Sequence, residues 1–222
     1  MIAERRLGIL GGTFDPFHNG HLDAADAAQR ALALNEIVFV PSAMPPHRTT
    51  GPRATAFHRF ALVALAIAGR DGYRASDIEL ARSGPSFTAD TLRAVQGEGW
   101  DASQIFFVIG SDAFADIAAW REYPRLLDAA NFVVIARPGT PLAAVVAGAP
   151  ELASRVRSTD HAPEDRHRTA IFLVDAPTRD VSSSTIRSRL ASGQPIADLV
   201  PTPVARHIEA HRLYGTEDKL HG

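Results

Sequence analysis

The sequence predicts an α/β protein: a Rossmann-like wound parallel sheet with helices on both faces and a small helical C-terminal extension. Three observations carry this. Short runs rich in β-branched and aromatic residues alternate with longer Ala- and Leu-rich runs. The short runs are apolar almost throughout, as strands covered on both faces must be. The 222 residues, 45% hydrophobic and 22% charged, suffice for one large α/β domain. Residues 1–222 are therefore read as a single domain, with 182–214 as its C-terminal helical part.

The elements follow in order. Residues 7–10 (Leu-Gly-Ile-Leu) form the first strand, and 21–34 the first crossover helix. The second strand is 36–40, followed by a loop over 41–52 that holds four prolines, a glycine and the basic pair His47-Arg48, a composition that predicts mobility. Helices are expected at 55–68, 87–96, 113–128 and 141–156, and strands at 104–109, 132–136 and 171–174. Residues 157–169 are polar, include His161 and His167, and read as an exposed connection. Two closing helices, 182–192 and 203–212, are separated by Gly193 and Pro195. Right-handed crossovers would set a ligand crevice at the carboxyl ends of the strands.

Composition removes several classes of function. Twenty-three Lys and Arg against 25 Asp and Glu leave a net charge of −2, so bulk charge gives no reason to bind nucleic acid or an anionic membrane. Any anion site must be local. The absence of cysteine excludes disulfides, thiol nucleophiles and thiolate metal sites and suits a reducing compartment. The first six residues mix one acid with two bases and do not make a secretory signal. The longest apolar stretch, 61–68, falls far short of the ~20 residues of a membrane helix. The expected location is the cytoplasm, and a homo-oligomer is left open.

The first informative segment is Gly11-Gly12-Thr13-Phe14-Asp15-Pro16-Phe17-His18-Asn19-Gly20-His21, between the first strand and the first helix. Paired glycines allow a sharp turn and bring backbone N–H groups close to an anion. The helix start that follows adds unpaired N–H groups and the positive dipole end. Asn19 is expected to cap that helix. His18 and His21, three residues apart, can face the same anion, and the dipole should lower their pKa until a polyphosphate raises it. The glycines could also be only a tight turn, and the histidines a surface pair or two ligands of a metal. No His-Glu-x-x-His pattern supplies a further ligand, so phosphate contact is the preferred reading.

The second segment is Val181-Ser182-Ser183-Ser184-Thr185-Ile186-Arg187, after the last strand. Any of these serines could simply cap a helix. A run of hydroxyls, a helix N-terminus and Arg187 one turn along also make a second anion site. Two such sites at one end of a sheet suit a polyphosphate that spans them.

These residues resemble the HxGH nucleotidyltransferase superfamily, whose signature is a His-x-Gly-His after the first strand and an Ile-Ser-x-Thr-x-x-Arg-like motif near the end. Within it the sequence is most similar to the bacterial nicotinate-nucleotide adenylyltransferases. The likeness extends through Pro45-Pro46-His47-Arg48, the stretch from Glu79 to Leu92 with its Gly84-Pro85-Ser86-Phe87-Thr88, then Gly110-Ser111-Asp112, Trp120, Arg137-Pro138-Gly139 and Leu213-Tyr214. The resemblance implies transfer of the adenylyl group of ATP to nicotinic acid mononucleotide, with Mg2+ carried on the substrate phosphates and no protein metal ligand. It implies backbone donors from Gly11, Gly12, Thr13 and Phe14, with His18 and His21 on the ATP phosphates. Ser183, Ser184 and Arg187 would hold the β and γ phosphates, and Gly110 and Asp112 would lie near the adenosine. Thr88 would meet the pyridine carboxylate, Trp120 would stack on the ring, and His47 and Arg48 would reach over the phosphates. The catalytic set it implies is His18, His21 and Arg187.

Other readings stay beside these. Trp120 could be a core aromatic, Asp112 a helix cap, Gly84-Pro85 a plain turn, and Glu79 with Arg82 a surface pair without a role. Phe87 replaces a Tyr frequent in the family and loses its hydroxyl. The acceptor could instead be nicotinamide mononucleotide or another phosphorylated molecule, and the scaffold could serve a non-catalytic nucleotide-binding regulator. A dinucleotide dehydrogenase fits poorly, since the turn lacks the third glycine of Gly-x-Gly-x-x-Gly.

Overall fold

The structure, a computed structural model, describes residues 5–45, 51–137, 139–140, 142–159 and 168–215. Seven parallel strands form one sheet in the order β3-β2-β1-β4-β5-β7-β6. They are β1 (Leu7–Gly12), β2 (Glu36–Pro41), β3 (Tyr73–Ala75), β4 (Ile105–Gly110), β5 (Asn131–Ile135), β6 (Val156–Arg157) and β7 (Ile171–Val174). The winding reverses between β1 and β4. There Leu10 sits in register with Phe39 on one side and Val108 on the other, and a crevice opens beyond their carboxyl ends.

Strand alternation fills two cores. Ile105, Phe107 and Ile109 point to one face, Phe106 and Val108 to the other. The first face is covered by α3 (Thr88–Gly97) and by the short α4 (Ser111–Phe114) with the 3-10 turns that follow it. The second is covered by α1 (Asn19–Leu32), α2 (Ala56–Ile67), α6 (Ser183–Ala191) and α7 (Thr202–Ala210). α5 (Leu142–Gly148) leads towards β6. Each fully buried Phe or Leu in these layers stabilises the fold by roughly 1.5–3 kcal/mol. Ile186 of α6 and Val204 and Ile208 of α7 are buried in the same core as β1 and β4, so the C-terminal helices are part of the domain's packing.

Four expectations need correction. β3 is a short edge strand in a stretch to which no element was assigned, and β6 is another where a helix end was expected. The continuous helix over 113–128 is instead α4 and two 3-10 turns, Ile117–Ala119 and Arg125–Asp128; Trp120 between the turns is extended, and Pro124 lacks the N–H that a helix running through it would need. The helix over 141–156 stops at Gly148, and Pro150 starts a 3-10 segment. The flank of the proline-rich loop is tied down: Ser42 N donates to Gly12 O at 2.8 Å, and Ser86 N to Met44 O at 2.8 Å. Among the described residues no helix is long and apolar enough to cross a membrane.

Candidate active site

The turn after β1 is built around an aromatic wedge. Phe14 adopts a positive φ of 52° and is buried, and its ring leaves no room at Gly12, where a Cβ would sit 2.8 Å from it. Phe14 and Phe17 pack against the His21 ring at centroid distances of 4.9 and 5.0 Å. The wedge therefore holds the second motif histidine.

His18, not Asn19, is the residue that precedes helix α1; Asn19 is its first helical residue and donates its amide to Asp198 O at 3.2 Å. His18 N–H donates to His21 Nδ1 at 3.1 Å, so an imidazole does the work of the usual Glu in the capping position. That bond makes Nδ1 an acceptor and leaves the proton of a neutral His21 on Nε2. The two rings stack at 3.6 Å with an interplanar angle of 19°, the shared orientation their spacing predicted. Burial first, then Arg137, lowers the His18 pKa to about 3, with Asp23 opposing. His21 is held well below its ordinary 6.5 by burial, then by His18 and Arg137. The direction matches expectation, but desolvation leads where the helix dipole was expected to.

The two anion motifs meet through hydrogen bonds. Ser183 Oγ donates to Pro16 O at 2.9 Å, and Arg187 Nη1 to Asp15 O at 2.5 Å. Arg187 Nη2 donates to Ser184 Oγ at 3.2 Å. Ser182 caps α6 by accepting from Thr185 N at 3.1 Å, which leaves the first-turn N–H groups of Ser183 and Ser184 without a helical partner. Behind them, the buried carboxyl of Asp15 accepts from Arg53 N at 2.8 Å, Ala54 N at 3.0 Å and Tyr214 Oη at 2.9 Å. Buried Arg59 donates to Thr13 O at 2.8 Å, Ser42 O at 2.6 Å and Ala43 O at 3.4 Å, fixing the ends of β1 and β2 together.

At the end of β4, Gly110 precedes α4 and Asp112 lies inside that helix's first turn without capping it. Asp112 Oδ1 is 3.8 Å from Arg137 Nε, and a Cβ on Gly110 would come within 3.1 Å of the same nitrogen.

Beside the β1 turn lies a cavity of about 180 Å3 lined by Gly11, Gly12 and Thr13, and by Thr88 and Trp120. The proposed acceptor residues therefore share one wall system with the glycines. Trp120 makes an edge contact with Phe107 at 6.2 Å, and the Arg121 guanidinium covers the Phe87 ring at 4.6 Å. The same cavity is lined by Glu79 and Ser42, which sequence reasoning missed as site residues. Glu79 is buried and accepts from Thr91 Oγ1 at 2.5 Å, while Arg82 Nη2 donates to that same oxygen at 2.9 Å, so the two are no surface pair. Burial pushes the Glu79 carboxyl up, against bonds from Thr91 and Ser86. Ser42 Oγ is buried without a hydrogen-bond partner among the described residues. His47 and Arg48 lie outside the described residues, as do His161 and His167.

A family model described as cytidylyltransferase-like matches residues 9–189. A protein of Symbiobacterium thermophilum, "Probable nicotinate-nucleotide adenylyltransferase", is 39% identical over 215 residues, covering 94% of this chain and 95% of the relative. One of the same name from Geobacter metallireducens is 38% identical over 218 residues, 96% of this chain and 100% of the relative. The solved structure of Plasmodium falciparum nicotinic acid mononucleotide adenylyltransferase complexed with NaAD shares the fold, with a TM-score of 0.71 at 20% identity over 95% of this chain and 97% of that one.

Proposed function

The chain belongs to the cytidylyltransferase-like family and, within it, to the nicotinate-nucleotide adenylyltransferases, and from that premise we propose what its residues do. It transfers the adenylyl group of ATP to nicotinic acid mononucleotide, giving the deamido form of NAD and pyrophosphate. One observation supports the assignment of residues above the others: Arg187 and Ser183 bond directly to Asp15 and Pro16, which sets the start of α6 beside the turn that leads into α1. A triphosphate laid there meets two helix N-termini at once.

In the reaction a phosphate oxygen of the mononucleotide attacks the α phosphorus of ATP, the new P–O bond forms in line, and the bond to pyrophosphate breaks. No protein nucleophile is needed. Alignment of the two phosphates alone can lower the barrier by ~7 to 11 kcal/mol. His18, His21 and Arg187 are the catalytic residues of this reading, with Nε2–H of His21 donating to an ATP phosphate. Gly11, Gly12, Thr13 and Phe14 contribute backbone donors. Because the Ser183 hydroxyl already serves Pro16, Ser183 gives the β and γ phosphates its backbone N–H. Ser184 accepts from Arg187 and keeps its hydroxyl proton to donate.

Gly110 and Asp112 hold the adenosine end, and Thr88, Trp120 and the Ser42 hydroxyl, which has no partner among the described residues, line the place of the pyridine ring. His47 and Arg48 are proposed to reach over the phosphates. ATP enters as its Mg2+ complex, the ion held by phosphate oxygens and water. The donor set supports that: imidazole, hydroxyl and guanidinium dominate the phosphate end, and the Asp15 carboxyl beneath is occupied by Arg53, Ala54 and Tyr214. The test is pyrophosphate release from MgATP with each pyridine mononucleotide in turn. Release with nicotinic acid mononucleotide at a much higher specificity constant than with the amide is expected. Equal constants would refute the role of the Thr88 and Trp120 pocket, and no release with either would overturn the assignment.

A further inference from the structure

Where α2 meets α7, away from the glycine turn and the cavity, three imidazoles converge. His58 lies in the first turn of α2, and His207 and His211 are one turn apart at the end of α7. His58 Nδ1 is 3.1 Å from His207 Nε2. The ring centroids are 5.3 Å apart for His58 and His207, 4.9 Å for His58 and His211, and 4.4 Å for His207 and His211. One nitrogen from each ring lies within 4.8 Å of the other two, with His58 and His207 half-buried and His211 exposed.

A tetrahedral ion with metal–nitrogen bonds of about 2.0–2.1 Å requires its nitrogens to be roughly 3.3 Å apart. The His58 to His207 separation already meets that, and exposed His211 has the rotational freedom to close the rest. Two ligands at i and i+4 on one helix with one from a neighbouring helix present three nitrogens to one point and leave a fourth position for water. Burial, with His211 and His58 as neighbours, holds His207 below its ordinary pKa, which favours the neutral form a metal needs. Three imidazoles select zinc and its first-row neighbours over magnesium, which takes oxygen ligands.

We propose that His58, His207 and His211 form a binding site for one zinc-class divalent ion, which clips α2 to α7. The placement gives the clip a purpose. Arg53 and Ala54, just before α2, donate to Asp15, and Tyr214, just after α7, donates to it as well. An ion joining the two helices braces both arms of that support.

The experiment takes the full-length protein, strips it with a chelator and titrates it with ZnCl2, following heat of binding and the thermal midpoint, then repeats this for His58→Asn and His211→Asn. Expected are one ion per chain, a raised midpoint, no effect of excess MgCl2, and affinity lowered at least about 100-fold in each variant, the upper range seen even for supporting partners of a ligand. Because His211 is exposed, His211→Asn should keep the fold and the basal turnover. Cobalt in place of zinc should give the absorption of a tetrahedral nitrogen site, lost in His211→Asn. Absence of saturable zinc binding by the wild-type chain, or unchanged affinity in both variants, would overturn the site and leave a hydrogen-bonded histidine pair.

Discussion

The Tyr214 hydroxyl donates to Asp15 Oδ1 at 2.9 Å, across 199 positions of sequence. It ties the end of the described chain to the loop between β1 and α1. Burial, then Asp15, hold the phenol well above its usual pKa, so it stays protonated and remains a donor. The backbone carbonyl of Asp15 meanwhile anchors Arg187. One buried residue thus joins the C-terminal tail, the approach to α2 and the second anion motif.

Tyr214→Phe should therefore lower the free energy of unfolding by roughly 1–3 kcal/mol, because it leaves a buried acceptor short of a donor while keeping the ring's packing. Urea denaturation measures this. A variant with the wild-type midpoint would show that the bond contributes nothing net.

This support was hidden in the sequence, although much around it was readable. The five long buried strands stand out because both faces are covered and their residues are almost all apolar. β3 and β6 do not: Tyr73–Ala75 and Val156–Arg157 are too short for periodicity, and each carries an arginine. The glycines, His18 and His21 are visible as motifs because their neighbours in sequence are their neighbours in space, and Arg187 because it stands one turn along from the serines that start α6. Arg59 and Asp15 look like ordinary charged residues, since what buries them comes from 46 and 199 positions away. Glu79 is misread for a different reason: its partner Thr91 is only 12 positions on, but it stands across a turn and on another element, α3, so no local periodicity marks the carboxyl as buried.

The histidine pair predicts a dependence of stability on pH. His18 titrates near 6.5 in the unfolded chain but about 3 in the folded one, and His21 is shifted the same way. Below pH 6.5 the unfolded state binds more protons, so stability is full above that value and falls as pH drops through the window. Urea unfolding at successive pH values should show this slope, and His18→Asn should reduce it to the part that His21 contributes. A matching slope in the variant would contradict the shift.

A bound triphosphate should reverse that shift at His18, because negative charge beside the ring favours its protonation, while His21 Nδ1 stays an acceptor for His18 N–H. MgATP binding is then expected to take up protons from solution near pH 6.5. Calorimetry in two buffers of different ionisation enthalpy detects this. Identical heats in both would place the phosphates away from His18.

Two separable roles are proposed for His21, and three substitutions divide them. His21→Ala should lower kcat about 10²- to 10³-fold with little change in the mononucleotide KM, the effect of losing a donor to developing charge. It also removes the acceptor for His18 N–H, a cap worth about 0.5–2 kcal/mol. His21→Asn keeps an oxygen where Nδ1 stood and should restore stability without turnover. His21→Gln places an amide N–H where Nε2 stood and should recover part of kcat. Near wild-type turnover in His21→Ala would remove His21 from the catalytic set.

Gly110 tests the adenosine end without disturbing the backbone. Its φ of −72° and ψ of 151° suit any residue, so alanine introduces no strain there. What the new Cβ meets is side chain: it would approach Arg137 Nε at 3.1 Å and displace Asp112, whose carboxylate is 58% exposed and free to swing into solvent. Stability should therefore change by less than about 1 kcal/mol, because what must give way is the exposed end of the Asp112 side chain. The Arg137–Asp112 pair would part, and with it the edge of the site where the adenosine is proposed to rest. Gly110→Ala is accordingly expected to raise the ATP KM about tenfold, equivalent to roughly 1.4 kcal/mol of binding, and to leave the mononucleotide KM as it was. A rise confined to the mononucleotide would place the adenosine elsewhere and assign this end of β4 to the acceptor.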